Sequence, residues 1–396
     1  MTAAIWVAGG LLFRWSDERL EANAPPEAWP GVTVLIPAFN EAALIGTTVR
    51  ATLAADYPHL EVLVLDDGST DDTAVAASAG GAGDKRLEVI RDPVNRGKAA
   101  RLNLGFERAR HDLVLVSDAD THLHPAALKL LVMRLLRSDR AAAVAGAPHV
   151  TNRNRVLEAL QVLEAASIIG LIRRTQALSG AVGTVAGVVG LFRRDAVIAA
   201  GGYDGRMATE DIDLSWRLLL DGWQTLYEPQ AFVGMQVPST LRALWAQRKR
   251  WARGQGEVMR RHFGSVLRWR NRRLWPLALE SAASLLWVSA LALSLLLTVF
   301  GLLADADVDP FGLGLAWGIA ISVIATIQLA FALTIDLYND RRAMLAFLLG
   351  PLYPIAFWMI SAAAALRSQT VGLARGPADA DVTWDVPREP LDDGEA

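Results

Sequence analysis

The chain has 396 residues, 52% of them hydrophobic, and its formal net charge at pH 7 is −3. Its length allows two or three structural units, and the absence of cysteine excludes disulfides, thiolate zinc sites and cysteine nucleophiles. Apolar residues are concentrated in the C-terminal third. Just before them, eleven Lys or Arg residues and one acid lie between Arg242 and Arg273. Because this basic cluster adjoins apolar segments, we expect it to meet a membrane rather than nucleic acid.

Residues 1–20 are predicted to form a short N-terminal membrane segment. Their apolar stretch, residues 3–13, is shorter than the roughly 20 residues that a full span needs. Arg14 and Arg19 follow it, which predicts a cytoplasmic location for its C-terminal side. A linker rich in Pro and Ala covers residues 23–30.

Residues 31–238 alternate between predicted strands and helices. Strands are predicted at residues 32–36, 61–65, 86–91 and 113–116, and helices at residues 41–55, 71–79, 98–110 and 211–220. This rhythm predicts an α/β domain with a doubly wound, mostly parallel sheet. Ligands of such sheets bind beyond the carboxyl ends of the strands, so we expect the chemistry at that edge.

Acidic residues follow three of these strands. The residues at the strand ends are Pro37, Ala38 and Glu41 for the first strand, Asp67 for the second, and Asp118 and Asp120 for the fourth. A single acid in such a position is usually a helix N-cap. Several acids at one edge repel one another, and this cost is tolerated mainly where a cation or a ligand compensates it.

The Asp118-x-Asp120 pair suits a hard divalent ion, Mg²⁺ or Mn²⁺, because two carboxylates leave coordination positions for phosphate oxygens and water. Lys98 begins a predicted helix and can reach the phosphate or base of a nucleotide, although a solvated lysine is the alternative. His122 and His124 follow the acid pair; they could support the metal ligands, but histidines in loops are more often bystanders, which is the interpretation we favour.

Thr209, Glu210 and Asp211 open another predicted helix. Acids in a first helical turn interact favourably with the helix dipole, which is the structural alternative. In the functional interpretation Asp211 is a general base that removes the proton of a sugar hydroxyl as it attacks an anomeric carbon. The metal and nearby cations stabilise the departing diphosphate, and this direct displacement inverts the anomeric centre.

Residues 239–275 are predicted to form amphipathic interfacial helices. Gln247, Arg250 and Trp251 stand at i, i+3 and i+4, so they share a helix face that can hold a sugar and a phosphate. An apolar stripe along the same helix fits a helix that lies on anionic lipid. The members of the stripe are Leu241, Leu244, Trp245 and Trp251.

Residues 276–366 are predicted to form two or three transmembrane helices. Residues 281–303 and 311–335 are each long enough to span a bilayer, and residues 343–366 form a third candidate that a glycine and two prolines interrupt. Three spans place the acidic tail, residues 367–396, outside the cell. A re-entrant or interfacial third segment keeps the tail inside.

The motifs described above occur in an order that resembles the processive family 2 glycosyltransferases, which have a GT-A fold and include cellulose, chitin, chito-oligosaccharide and hyaluronan synthases. The motifs are Asp67, Asp118-x-Asp120, Thr209-Glu210-Asp211 and Gln247-x-x-Arg250-Trp251. The resemblance covers about residues 31–275. It is greatest to the bacterial synthases of poly-β-1,6-N-acetylglucosamine, on residues 167–176, 247–257 and 274–276.

The resemblance implies a role for each of these residues. The donor-binding residues would be Pro37, Ala38, Glu41, Asp67, Lys98, Asp118 and Arg250. The residues that bind the acceptor and the polymer would be Gln247, Trp251 and Thr209. The catalytic residues would be Asp211 as the base, with Glu210 and Asp120, and the metal ligands would be Asp118 and Asp120.

The resemblance also implies a multi-pass protein of the plasma (inner) membrane with a cytoplasmic catalytic domain. It would polymerise N-acetylglucosamine from UDP-N-acetylglucosamine, with Mg²⁺ or Mn²⁺, into a β-linked polysaccharide of the biofilm matrix, and pass the polymer through the bilayer. The N-terminal membrane part is shorter than the two helices usual in the family. The sequence contains no cyclic-dinucleotide domain, so regulation would need a separate small membrane subunit.

Three alternatives stay open at this point. One is another family 2 synthase, of the chito-oligosaccharide, hyaluronan or cellulose-like kind. A second is a non-processive glycosyltransferase that moves one sugar to a lipid, and a third is an inactive membrane scaffold. The motifs do not encode the sugar or the linkage, because both depend on the shape of the pocket and the angle of the acceptor.

Overall fold

The structure is a computed structural model that describes residues 2–18, 25–185, 188–303, 312–336 and 343–383. Its strands are β1 Val32–Ala38, β2 Leu60–Asp67, β3 Leu87–Asp92, β4 Leu113–Ser117, β5 His122–Leu123, β6 Ala141–Val150, β7 Val189–Arg193 and β8 Gln224–Met235. They form one eight-stranded sheet in the order β3-β2-β1-β4-β7-β6-β8-β5.

The four N-terminal strands are parallel to one another, as the sequence predicts. The prediction of a mostly parallel sheet is wrong for the other half, which is mixed. There β7 runs antiparallel to both β4 and β6, β5 is antiparallel to β8, and β6 is parallel to β8. Helices still separate β5, β6, β7 and β8 along the chain, but these connections bring β7 in antiparallel to its neighbours instead of parallel to them.

Helices cover both faces of this sheet, as a doubly wound domain requires. In chain order they are α1 Thr2–Phe13, α2 Ile45–Leu53, α3 Thr73–Gly81, α4 Lys98–Arg108, α5 Ala127–Leu136, α6 Val156–Ala165, α7 Arg173–Ala177, α8 Arg194–Ala199 and α9 Glu210–Leu220. Ile45 of α2 and Leu131 of α5 join the core on one face, whereas Phe106 of α4 and Leu214 of α9 join it on the other. The apolar runs of β1, β2 and β4 are buried because both faces are covered.

The remaining helices follow the catalytic domain. They are α10 Leu241–Val266, α11 Trp275–Leu303, α12 Gly312–Asp336, α13 Ala343–Ala346, α14 Met359–Ala364 and α15 Thr370–Arg375. Within the described residues, one helical stretch, Trp269–Gly301, is long and apolar enough to cross a membrane. Of its most apolar 18-residue segment, 6% is buried. Ser322–Asp336 is a shorter apolar helix. The third predicted span is broken near its glycine and prolines, where a π turn, Tyr353–Trp358, precedes α14.

The N-terminal segment packs against both the catalytic domain and α12. Arg174 of α7 is fully buried, and its guanidinium pairs with Glu18 (Nε to Oε1, 2.6 Å) and with Asp336 at the end of α12 (Nη1 to Oδ1, 2.9 Å). One buried cation therefore joins three separate parts of the chain. The predicted basic flank at Arg19 and the first residues of the predicted linker, 23–24, lie outside the described residues.

The first part of the predicted tail lies on the catalytic domain. The N–H of Val382 donates to the carbonyl of Gly205 (2.8 Å), and the N–H of Ala378 donates to the carbonyl of Arg206 (3.0 Å). This part of the chain therefore lies on the same side of any membrane as the catalytic domain. Residues 384–396 lie outside the described residues.

Candidate active site

The loops that follow β1 and β2 are fastened to each other at the carboxyl edge of the sheet. The N–H of Thr70 donates to Asn40 Oδ1 (2.9 Å), and the N–H of Asn40 donates to Ser69 Oγ (2.9 Å). Asn40 has a φ of 56°, a left-handed conformation in which asparagine is enriched. Beside it Glu41 is buried, and its N–H donates to Thr73 Oγ1 (2.8 Å). These bonds give the predicted site a fixed wall.

Pro37 and Ala38, which the resemblance assigns to donor binding, lie inside β1. The side chain of Ala38 is fully buried and belongs to the hydrophobic core. Any contact that Ala38 makes with a donor therefore has to come from its backbone. Glu41 differs, because it follows the strand and lies in the fastened loop.

Asp67 braces the turn that begins α4. Its carboxylate accepts the N–H groups of Arg96 (2.9 Å) and Gly97 (2.7 Å), and it pairs with the buried Arg101 (3.1 Å). Burial raises the pKa of Asp67, and these three partners oppose the shift. The turn needs a glycine at position 97, where φ is 88° and a Cβ would lie 2.4 Å from the carbonyl oxygen of Val382. By holding this turn, Asp67 fixes the position of Lys98, the residue that follows Gly97.

Lys98 connects the strand-end acids to the acids of α9. Its Nζ donates to Asp118 Oδ1 at 2.5 Å. Burial by itself lowers the pKa of Lys98, but the attraction of Asp118, Glu210 and Asp211 outweighs burial and raises it. Lys98 is therefore a protonated cation surrounded by carboxylates that come from two distant parts of the sequence. The structure brings these predicted site residues together.

Glu210 and Asp211 begin α9, where their negative charges face the positive end of the helix dipole. Burial and the charge of Asp211 raise the pKa of Glu210, and the cations Lys98 and Arg250 oppose this rise. Asp211 Oδ1 accepts the N–H of Ile212 (2.9 Å), which orients the carboxylate within the first turn. Arg250 belongs to α10, so the predicted helix face of α10 interacts with the acidic turn of α9 through Glu210.

A close contact between two helices sets this geometry. A Cβ at Gly254 of α10 would lie 2.1 Å from Thr209 Oγ1, so α10 can approach the start of α9 only with glycine at that position. Thr209 Oγ1 and Gln247 Oε1 are both buried, and neither has a hydrogen-bond partner among the described residues. A buried unsatisfied polar atom costs about 1–3 kcal/mol, which a sugar hydroxyl could remove. Both residues are predicted acceptor ligands.

Trp251 is 42% exposed, as an acceptor platform requires. The predicted lipid-facing stripe of α10 is wrong at Leu244, which is fully buried and packs in the core beneath α6 and α12. Leu241 at the start of the helix is 64% exposed. The stripe is divided because α10 packs inside the molecule over most of its length, with the backbone of α15 touching Gly256.

Three site residues have no place in the sequence prediction. Tyr203 is buried; burial and the charges of three carboxylates (Asp211, Glu210 and Asp118) raise the pKa of its phenol, so it stays neutral. Arg173 is buried and attracted to Asp211, although burial lowers its pKa. Arg248 is buried beneath Trp251. Of the three, only Arg248 could have been predicted from the sequence, because it stands three residues before Trp251 and shares its helix face.

The donor set at β4 fits a metal that arrives with phosphates. Within the described part of the chain no group of three or more His, Asp or Glu side chains could hold a metal ion. Mg²⁺, however, is usually held by one or two carboxylates together with substrate phosphates and water, and Asp118 and Asp120 offer two. His124 is exposed with its ring against Phe232, and His122 lies in β5, which agrees with their interpretation as bystanders.

The mixed α/β sheet, the carboxylates at its strand ends and the acidic turn of α9 define a glycosyltransferase of the GT-A fold. The chain belongs to glycosyltransferase family 2: residues 30–254 match the family described as "Glycosyltransferase like family 2". The predicted family, fold of the catalytic domain and class of enzyme are thereby confirmed.

The chain is similar along almost its whole length to proteins named poly-beta-1,6-N-acetyl-D-glucosamine synthase. It is 34% identical to the protein of Staphylococcus aureus (strain COL), over 96% of this chain and 94% of that protein. It is 31% identical to the protein of Staphylococcus epidermidis, with the same coverage. Among solved structures it resembles a mannosyltransferase from Pyrobaculum calidifontis in complex with GDP-Man and Mn²⁺, with a TM-score of 0.64, 23% identity, and coverage of 95% of this chain and 99% of that chain.

Proposed function

We propose that the chain polymerises N-acetylglucosamine from UDP-N-acetylglucosamine into poly-β-1,6-N-acetylglucosamine by a processive, inverting reaction. The names of its relatives support the sugar and the linkage. The observation that carries the proposal is the electrostatic cluster of Lys98, Asp118, Glu210, Asp211 and Arg250. It joins the strand ends, where a nucleotide binds in this kind of sheet, to the helix that bears the exposed Trp251.

The chemistry assigned to Asp211 is the removal of a proton from the acceptor hydroxyl. The hydroxyl oxygen forms a bond to the anomeric carbon of the donor while the bond from that carbon to the diphosphate oxygen breaks. UDP leaves with the electron pair, and the proton stays on the Asp211 carboxylate. Because attack and departure are on opposite sides of the carbon, the α-linked donor gives a β-linked product.

Positive charge stabilises the leaving diphosphate. Asp118 and Asp120 would hold Mg²⁺ or Mn²⁺ together with the donor phosphates, and the ion would supply positive charge to the departing diphosphate. Lys98 and Arg250 place two more cations in the same cluster as the base. Asp67 and Glu41 act on the donor side through the loops that they fix.

The acceptor and the growing polymer bind at the junction of α9 and α10. Thr209 Oγ1 and Gln247 Oε1 accept hydrogen bonds from the hydroxyls of the bound sugar, and neither has another partner among the described residues. The exposed indole of Trp251 supplies an apolar surface for a pyranose ring. A ring held there is beside Arg250, and thus beside the acidic turn of α9.

We place the protein in the plasma membrane with the catalytic domain in the cytoplasm and the polymer passing outward through the helices of residues 276–366. The apolar helix Trp269–Gly301, with 6% of its most apolar 18-residue segment buried, supports a lipid environment for this region. Residues 1–20 are a further membrane segment, and residues 239–275 connect the two domains. A separate small membrane subunit that regulates this activity, and on which polymer synthesis itself does not depend, is part of the proposal.

The proposal is tested by incubating the purified full chain, in lipid nanodiscs, with Mg²⁺ and a panel of UDP-sugars. We expect UDP release with UDP-N-acetylglucosamine, loss of release with EDTA, and restoration by Mg²⁺ or Mn²⁺. Faster release with UDP-glucose would overturn the choice of sugar, and metal-independent release would overturn the role of Asp118 and Asp120. Full activity of the chain alone would show that no accessory subunit is needed.

A further inference from the structure

Arg248 is a buried cation in the middle of a stack of flat side chains. Its guanidinium carbon lies 4.4 Å from the centroid of the Trp251 ring and 5.0 Å from that of Phe357. Phe357 stacks in turn on Tyr353, with ring centroids 5.6 Å apart and an interplanar angle of 18°. Arg248 thus joins the exposed indole of α10 to the π turn of the C-terminal region.

A single carboxylate fixes the guanidinium in this position. Nη1 of Arg248 donates a hydrogen bond to Glu164 Oε1 (2.7 Å), and Nη2 donates one to Glu164 Oε2 (2.6 Å). Arg248 Nε is buried and has no partner among the described residues, so the two-point contact with Glu164 determines the plane of the group. A lysine would keep the charge but could not provide a planar group that makes two parallel bonds to the carboxylate.

One face of Trp251 is covered by this guanidinium, yet 42% of the residue remains exposed. The cation attracts the indole by a cation–π interaction, worth about 0.5–2 kcal/mol depending on burial. Arg248 itself is 7% exposed, which keeps it from contact with a bound sugar. Its effect on a ligand must therefore pass through the ring that it holds.

We propose that Arg248, clamped by Glu164, is a positioning residue that holds the indole of Trp251 so that its free face receives the acceptor sugar. The inference rests on the proposed function, because it assumes that Trp251 binds the polymer. It assigns the second residue of the Gln-Arg-Lys-Arg-Trp segment a role distinct from those of Gln247, Arg250 and Trp251. The length of the polymer depends on this role, since each cycle returns the chain end to the same ring.

The test is a double-mutant cycle with Arg248→Lys, Trp251→Ala and the double variant, each as full-length protein in nanodiscs. We expect Arg248→Lys to raise the KM for an N-acetylglucosamine oligosaccharide acceptor about fivefold, with a smaller change in kcat, and to shorten the polymer. The double variant should match Trp251→Ala. The matched control is Arg253→Lys, because Arg253 pairs with Glu257 (2.7 Å) on the same helix and should leave product length unchanged.

The outcomes separate this inference from the proposed function. If Trp251→Ala leaves KM and polymer length unchanged, Trp251 is not an acceptor site and both ideas fail. If Trp251→Ala acts but the effects of the two substitutions add, Arg248 acts independently of Trp251 and only this inference fails. If Arg248→Lys does not fold, Glu164→Gln replaces it in the cycle: a shortened polymer supports the inference, and wild-type length overturns it.

Discussion

The carboxylates of Asp67 and Asp118, on the proposed donor side, differ from the oxygens of Thr209 and Gln247, on the proposed acceptor side, in how they are satisfied. On the donor side Asp67 accepts two backbone N–H groups, and Asp118 is paired with Lys98. On the acceptor side, buried oxygens of Thr209 and Gln247 have no hydrogen-bond partner among the described residues. Unsatisfied buried oxygens destabilise the empty protein, whereas satisfied carboxylates do not.

In the proposed function, the two substrates therefore meet two kinds of surface. The donor would exchange partners on a surface that internal bonds already hold in shape, with Lys98 leaving Asp118 for a phosphate. The acceptor would supply partners that Thr209 and Gln247 lack among the described residues. Substitutions should therefore act differently on the two sides.

Asp211→Asn should slow polymer synthesis while leaving substrate binding nearly unchanged. The amide cannot accept the proton of the acceptor hydroxyl, so polymer synthesis should fall roughly 100- to 10,000-fold. UDP binding should stay within about twofold, because donor partners are untouched. The measurements are UDP release and calorimetric UDP affinity, with Asp221→Asn, at the exposed end of α9, as the control. A rate near that of the unmodified protein would show that Asp211 is not the base.

Lys98→Ala should weaken donor binding selectively. It removes the proposed hydrogen bond from the Lys98 cation to a donor phosphate, worth about 1.5–3 kcal/mol. This loss corresponds to a KM for UDP-N-acetylglucosamine raised roughly 10- to 100-fold. The KM for the acceptor should change much less. Lys129→Ala is the matched control, since Lys129 pairs with Asp56 (2.7 Å) and belongs to α5. Equal losses on both KM values would contradict the division into two sides.

Gln247→Met should raise stability and lower activity. The apolar side chain removes an unsatisfied oxygen, so the melting temperature should rise by about 2 °C while polymer synthesis falls about tenfold. The control is Gln255→Met, because Gln255 donates to Ser281 Oγ (2.9 Å) and its loss should lower the melting temperature. A destabilised Gln247→Met protein would mean that this oxygen has a partner.

Glu210→Gln should show the smallest effect, and one that depends on pH. Burial raises the pKa of Glu210 above its ordinary value of 4.5, so the folded protein binds its proton more tightly than the unfolded chain does. The contribution of Glu210 to stability is then greatest below pH 4.5 and is lost as pH rises through the raised pKa. The glutamine variant lacks this loss, so its melting temperature relative to the unmodified protein should increase with pH. A difference that is flat between pH 4 and 7 would contradict the raised pKa.

Local patterns of sequence were sufficient for the donor half of the fold. The apolar runs at β1, β2 and β4 predict buried parallel strands, and the rule for strand ends places Asp67, Asp118 and Asp120 at one edge. Helical spacing predicts that Arg250 and Trp251 share a face, and Arg250 does interact with the acid turn of α9. These features depend on neighbours within a few residues.

The features that the sequence did not predict depend on distant partners. The burial of Arg248 requires Glu164, 84 residues away, and the ring of Phe357 from the C-terminal region. Leu244 is buried because α10 packs against several elements, which its own amphipathic pattern cannot reveal. The antiparallel course of β7 follows from the route that the chain takes through α6 and α7 after β6, and the order of strands and helices alone does not predict that route.

In the proposed function, one chain brings a donor site, a base and a polymer site together beside a membrane. The ratio of UDP released to polymer chains formed tests this directly, in proteoliposomes that contain only the purified protein, Mg²⁺ and UDP-N-acetylglucosamine. We expect many UDP molecules released per chain and long products while most of the donor is still unused. One UDP released per product, with single-sugar products, would contradict it.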